Sequence, residues 1–228
     1  MIARPFLIVA MILFSFSLHA QKPDFVIFGG AQATSAKYTI QNVKQPSEAR
    51  YGPMAGLALK IPFENNLYFF PAVYYSRKGY EVAFNRFVSP PSDKALNNKT
   101  SIHTVELAPL FQIDLAKSQA HPFVRFGISA DFVFGGTENF DTSANGSGTV
   151  TRPMVFSFGD YGRITASANF HLGYEFQNGL MLFAHYTHGL GDANNADGGP
   201  SILHRVTGLS LGWRFIKNPN IIDTRVKE

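Results

Sequence analysis

Every second residue from Ile164 to Phe176 is apolar: Ile164, Ala166, Ala168, Phe170, Leu172, Tyr174 and Phe176. The residues between them are Arg163, Thr165, Ser167, Asn169, His171, Gly173 and Glu175. A period of two is the mark of an extended strand, because successive side chains leave opposite faces. Its length narrows the choice further. Strands of soluble domains run to about five or six residues, whereas a tilted strand that crosses a bilayer needs about 9–11.

The same pattern recurs along the chain. Val124, Phe126, Ile128, Ala130, Phe132 and Phe134 oppose Arg125, Gly127, Ser129 and Asp131. Leu209, Leu211, Trp213 and Phe215 oppose His204, Gly208, Ser210, Gly212 and Arg214. Val105, Leu107, Pro109, Phe111, Ile113 and Leu115 oppose Glu106, Ala108, Gln112 and Asp114, and Leu57, Leu59 and Ile61 oppose Gly56, Ala58 and Lys60. Three noisier extended segments, at 24–33, 67–79 and 180–190, bring the number of expected strands to eight. Short turns at 63–66, 117–121 and the Asn178-Gly179 hairpin signal alternate with long polar links at 34–49, 82–101, 136–160 and 191–202. That order predicts an all-β fold, an eight-stranded antiparallel up-and-down transmembrane β-barrel with short periplasmic turns and longer outer loops. Pro71 and Pro109 fall inside strands, remove ladder donors, and are expected to sit at bulges or kinks.

Composition supports this reading. With 22 Phe, 9 Tyr and 20 Gly at a mean hydropathy of −0.02, the aromatics exceed what one soluble core hides. Tyr174, Phe176, Trp213 and Phe215 lie near the short turns, and Phe132, Phe134 and Tyr186 toward the long links, as two interfacial girdles would. The first 20 residues, with Arg4 before an apolar run and "LHA" before Gln21, read as a secretory signal peptide cleaved near Ala20. Residues 21–216 form the expected barrel and 217–228 a periplasmic tail. There is no cysteine, hence no disulfide framework and no lipidation site. After loss of Arg4, 19 basic residues face 16 acidic ones without clustering, which argues against a nucleic-acid partner.

An eight-stranded barrel is just wide enough to be filled by its own side chains. The polar faces place Lys60, Lys78, Arg125, Arg163 and Arg214 inside with Glu106, Asp114, Asp131 and Glu175, together with His171 and His185. Charges taken out of water must be paired, so these residues are expected to form a salt-bridged plug. No catalytic, cofactor or metal residues are assigned. His171 and Glu175 share a strand face but stand roughly 13 Å apart at about 3.3 Å per residue. His185 and His188 point to opposite faces. The 191–199 loop lacks the terminal Glu of a calcium loop.

The stretch "GPMAGLALKIPFENNLYFFPAVYYSRKG" resembles the second and third strands of the PorT-like outer-membrane β-barrel family of the Bacteroides group, Gram-negative bacteria. The matching positions are Gly52, Ala55, Gly56, Ile61, Pro62, Pro71, Tyr75, Ser76, Lys78 and Gly79. Glu106, Pro109 and Leu110 are similar to its Leu-Glu-x-Pro-Leu segment; Tyr186, Gly189 and Leu190 to its Tyr-x-x-Gly-Leu; and "GLSLGWRF" to its closing strand. Ala72 stands where many members carry Glu, and the chain runs past its last strand aromatic, Phe215. The resemblance implies an integral protein of the cell outer membrane, inserted by the barrel-assembly machinery and surrounded by lipid and lipopolysaccharide. It is expected to be monomeric and to have a structural or interaction role, with a protein partner at the outer loops. One branch of the family serves a gliding-associated secretion system. A lipid A-modifying enzyme using His185 and Thr187, and a narrow pore, are the remaining alternatives.

Overall fold

The computed structural model describes residues 23–87, 89–143 and 148–215. The leader and the tail expected from the sequence lie outside the described residues. Eleven strands form one antiparallel sheet: β1 (Asp24–Ile40), β2 (Val43–Lys44), β3 (Ser47–Glu64), β4 (Leu67–Lys78), β5 (Tyr80–Ala83), β6 (Asn97–Asp114), β7 (His121–Asp141), β8 (Thr149–Pro153), β9 (Ile164–Glu175), β10 (Leu180–Gly189) and β11 (Ser201–Phe215). The eight long ones pair in the cycle β1-β3-β4-β6-β7-β9-β10-β11, and β11 returns to β1 from Phe25↔Phe215 to Thr39↔Ser201. The ring has no open edge, so every long strand has a partner on both sides.

The three connections at one end are short. At the Asn178-Gly179 turn, the Gly179 N–H donates to the Phe176 carbonyl and Gly179 has a φ of 86°. Gly179 alone takes the left-handed conformation there, so the turn is a type I turn closed by a glycine rather than the two-residue mirror-image form.

The opposite end departs from the sequence expectation. Strand extends into the links at 34–49, 82–101 and 136–160. β1 continues to Ile40, β6 begins at Asn97, and β7 runs to Asp141, where β8 pairs with it from Thr137↔Pro153 to Asp141↔Thr149. The wall therefore rises past the apolar band. Water replaces the apolar surroundings there, the outer face turns polar, and the hydrophobic period vanishes while the ladder persists.

The prolines make no bulge. Pro71 lies directly opposite Pro109. The β3–β4 ladder keeps one register from Ala58↔Ala72 to Ile61↔Phe69, and β6–β7 does so from Leu107↔Ala130 to Leu110↔Gly127. Each missing donor simply leaves a gap in the ladder toward the strand on its far side. The register shifts occur instead at Pro62/Glu64 and at His103/Thr104.

Outward side chains form a continuous apolar band that includes Ile164, Phe170, Leu172, Leu182, Leu209, Leu211, Ile128 and Leu107, all exposed. Aromatic rings border it at both ends. Phe25 meets Phe215 at 5.9 Å and Tyr174 meets Phe176 at 5.1 Å near the turns. Tyr75, His103 and Phe134 cluster at the upper end.

Candidate functional site

The inward faces carry the chemistry, and the register stacks it in layers. Nearest the short turns, Lys60 on β3 places Nζ 2.7 Å from Asp114 Oδ2 on β6 and 2.9 Å from Glu175 Oε2 on β9. Arg214 on β11 pairs with Glu175 Oε1 at 2.5 Å and with Asp24 Oδ2 on β1 at 2.7 Å. His121 on β7 brings Nε2 to 3.0 Å from Asp114 Oδ2, its Nδ1 lying 2.9 Å from the Ser118 carbonyl. One cluster thus ties six strands. Asp114, His121 and Glu175 have the mutual spacing of metal ligands, but the Lys60 ammonium lies between the two carboxylates, where a cation would bind.

Above this cluster sits Arg125, fully buried. Its guanidinium carbon lies 3.8 Å from the Phe70 ring centre, 4.3 Å from Phe123 and 5.0 Å from Phe183. Its Nε donates to Gln112 Oε1 at 2.6 Å, and the Gln112 amide donates to Asp114 Oδ1 at 2.6 Å. The charge is therefore held by three aromatic faces and one amide that relays it to the carboxylates below. His171 stacks on Phe183 at 5.5 Å and lies edge-on to His185 at 5.8 Å. The phenylalanines belong to an inward apolar layer with Val26, Met54, Leu110 and Met181.

A second ion cluster follows. Lys78 on β4 donates to Glu106 Oε1 at 2.8 Å and to Asp131 Oδ2 at 2.9 Å. Ser129 and Ser167 each donate to Asp131 at 2.7 Å, and Gln32 donates to Ser76 at 2.7 Å. Both carboxylates and the ammonium are buried, and this hydrogen bonding makes their burial tolerable. On the same level His185 Nδ1 lies 3.5 Å from Ser210 Oγ, while its Nε2 and the His171 Nδ1 make no hydrogen bond among the described residues. The Thr187 hydroxyl donates to Asn169 Oδ1 at 2.7 Å.

The loop end is capped. Tyr161 donates to Glu138 Oε2 at 2.9 Å, Arg152 donates to Glu138 Oε1 at 2.7 Å, and Tyr38, Tyr80, Met154 and Ile202 pack around them. Burial, with Tyr80 and Glu138 nearby, pushes the Tyr161 phenol well above its ordinary range, so it remains a donor. Between the layers lie two internal cavities of about 10 Å³ each, one lined in part by Lys78 and His204, the other by His171, His185 and Glu106. Each is about the size of one water.

Of the residues assigned to the interior from the sequence, Lys60, Lys78, Glu106, Asp114, Arg125, Asp131, His171, Glu175 and His185 are buried within the barrel, and Arg214 is partly buried at its turn end. Arg163 is a correction. It precedes β9, is exposed, and lays its guanidinium 5.0 Å from the Phe156 ring centre outside the plug. The alternation runs one residue beyond the strand, so period alone misplaced it. Sequence reasoning missed Asp24, Gln112, His121, Glu138 and Arg152. Gln112 sat on the polar face but carries no charge, and Glu138 and Arg152 lay in what read as a loop.

A closed ring of eight antiparallel strands, apolar outside and ion-paired inside, defines a membrane-spanning β-barrel. Residues 19–195 match the outer membrane protein beta-barrel domain family, and the chain belongs to it. It is an integral protein of the outer membrane, with its short turns on the periplasmic side by the rule for such barrels. No curated protein matches the chain. Among solved structures it is similar to Ail, the attachment invasion locus protein of Yersinia pestis (12% identity, 86% of this chain and 100% of that one, TM-score 0.44). OprG from Pseudomonas aeruginosa gives 14% identity, 86% and 98% coverage, and a TM-score of 0.45. The outer membrane enzyme PagL gives 13%, 82% and 99%, and 0.38.

Proposed function

We propose that this barrel is a structural and interaction protein, working through the part of its wall and loops that stands outside the cell. The observation that carries this reading is the filling of the interior: four stacked layers of ion pairs, aromatic rings and tyrosines leave internal spaces of only about 10 Å³. The surface available to a large partner is then the raised rim, where Tyr51 and Phe87 are 84% and 85% exposed.

In this reading the protein is not an enzyme. The Thr187 hydroxyl is committed to Asn169, and both it and His185 point into the plug rather than toward lipid. Within its family we place the chain in the PorT-like branch. The motif lysine and the motif glutamate of that resemblance, Lys78 and Glu106, meet at 2.8 Å, and two of its prolines, Pro71 and Pro109, oppose each other. A role beside a secretion machine is the finer form of the same proposal.

Photo-cross-linking residues placed at Phe87 and Tyr51 in cells should capture an outer-membrane or surface protein. The same probe at Lys117, on a periplasmic turn, should not. Equal capture at all three sites, or none at the rim, would reject the reading; periplasmic build-up of exported cargo on gene deletion would favour the secretion form.

A further inference from the structure

Where β9 leaves the membrane, the outer wall carries a cleft of about 380 Å³ lined by Phe156, Phe158, Tyr161, Arg163, Ile164 and Asn195, with Ser157 and Gly162 between them. The segment joining β8 to β9 builds it. That segment is held by the Gly162 N–H on the Ala193 carbonyl at 2.9 Å and the Asn195 N–H on the Asp160 carbonyl at 2.8 Å. Its position is set by Ile164, the uppermost residue of the apolar band on β9, which faces Phe132 of the upper girdle. The cleft therefore opens at the boundary between acyl chains and headgroups of the outer leaflet.

Its lining combines two unlike features. Phe158, 96% exposed, and Ile164, 65% exposed, offer apolar surface toward lipid. Arg163, also exposed, stands beside them and makes no ion pair among the described residues. The nearest acid of the segment, Asp160, is engaged with the Ser157 hydroxyl at 2.7 Å. The contact of Arg163 with the Phe156 ring fixes the guanidinium without neutralising it. An apolar slot alone would suit any lipid tail, and an arginine alone any anion. Together, at this depth, they suit an acyl chain joined to a phosphate.

We propose that this cleft binds the phosphorylated, acylated lipid A portion of lipopolysaccharide, with an acyl chain between Phe158 and Ile164 and a phosphate on the Arg163 guanidinium. The site rests on the outer-membrane placement of the barrel and does not depend on any partner at the rim.

Native mass spectrometry of the full-length barrel in detergent, titrated with bisphosphorylated hexa-acyl lipid A, tests it. Arg163→Gln and Phe158→Ala should each weaken retention about tenfold, as loss of one charge-assisted contact or one apolar wall would. Arg86→Gln, on the link between β5 and β6 and outside the cleft lining, should leave it unchanged. Heat-dependent gel migration identifies variants that still fold. Dephosphorylated lipid A should bind poorly, and so should phosphatidylglycerol. Unchanged retention by both folded cleft variants would overturn the site. Equal retention of dephosphorylated lipid would remove the role of Arg163, and equal retention of phosphatidylglycerol would overturn the assignment to lipid A. A rim that captures no protein leaves all these outcomes readable, so the two proposals fail independently.

Discussion

Lys78 shows how one side chain organises this interior. It neutralises Glu106 and Asp131 from two neighbouring directions, and both carboxylates are buried. Replacing it with methionine keeps much of the volume but strands two charges. Breaking a buried pair costs about 3–5 kcal/mol, so Lys78→Met should shift the urea unfolding midpoint in lipid strongly downward. Adding Glu106→Gln and Asp131→Asn to the same chain should recover most of the loss. A triple variant no more stable than Lys78→Met would show that packing, not charge, sets the cost. Gly208 acts at the same scale for a different reason. A Cβ there would come within 2.5 Å of His185 Cε1, so the glycine is what admits the imidazole to the layer.

At the scale of the strand, two environments share one backbone ladder, and that explains what the sequence could and could not reveal. β9 and the lower part of β11 alternate cleanly because lipid lies on one side and paired polar groups on the other. β4 and β10 looked irregular because Phe70 and Phe183 face inward to hold Arg125, so apolar residues occupy both faces. β8 and the upper parts of β1, β6 and β7 were hidden because water wets their outer face, leaving no period to read. The interior charges were legible from alternation; the partners were not, since Lys60 and Glu175 are 115 residues apart in the chain. An outward position should therefore respond to charge according to its height. Phe170→Arg, midway along the apolar run of β9, should destabilise the barrel by about 2–4 kcal/mol. Thr151→Arg on β8, exposed opposite Asn139 on the outer face but above the band, should change stability by less than about 0.5 kcal/mol. Similar costs at the two sites in lipid-based unfolding would place β8 inside the membrane and contradict this account.

The whole molecule is a stack of sealed layers within a lipid-facing wall. The periplasmic cluster, the Arg125 layer, the Lys78 cluster and the tyrosine cap each span several strands, so an ion entering from either side meets fixed charges and, among the described residues, internal spaces about the size of one water. Planar bilayers holding the purified protein should stay electrically silent in both potassium chloride and sodium sulfate. Arg125→Ala, which removes the centre of the aromatic layer, should be the variant that first admits current. Regular stepwise openings of the unmodified protein would reject the sealed interior and return the narrow pore to consideration.

The seam between β1 and β11 has a further consequence, for the order in which the barrel is made. The first strand of the sheet is hydrogen-bonded to the last along nearly its whole length, and Asp24 reaches across 190 residues to Arg214. One edge of β1 can have no partner until the end of the chain arrives. The loop-closure entropy grows only slowly with such a length, but the delay does not shrink: contacts this distant make folding slow. Until closure, the nascent sheet carries a bare edge that lipid cannot solvate. The last seam to form is the one that makes the membrane habitable for all the others.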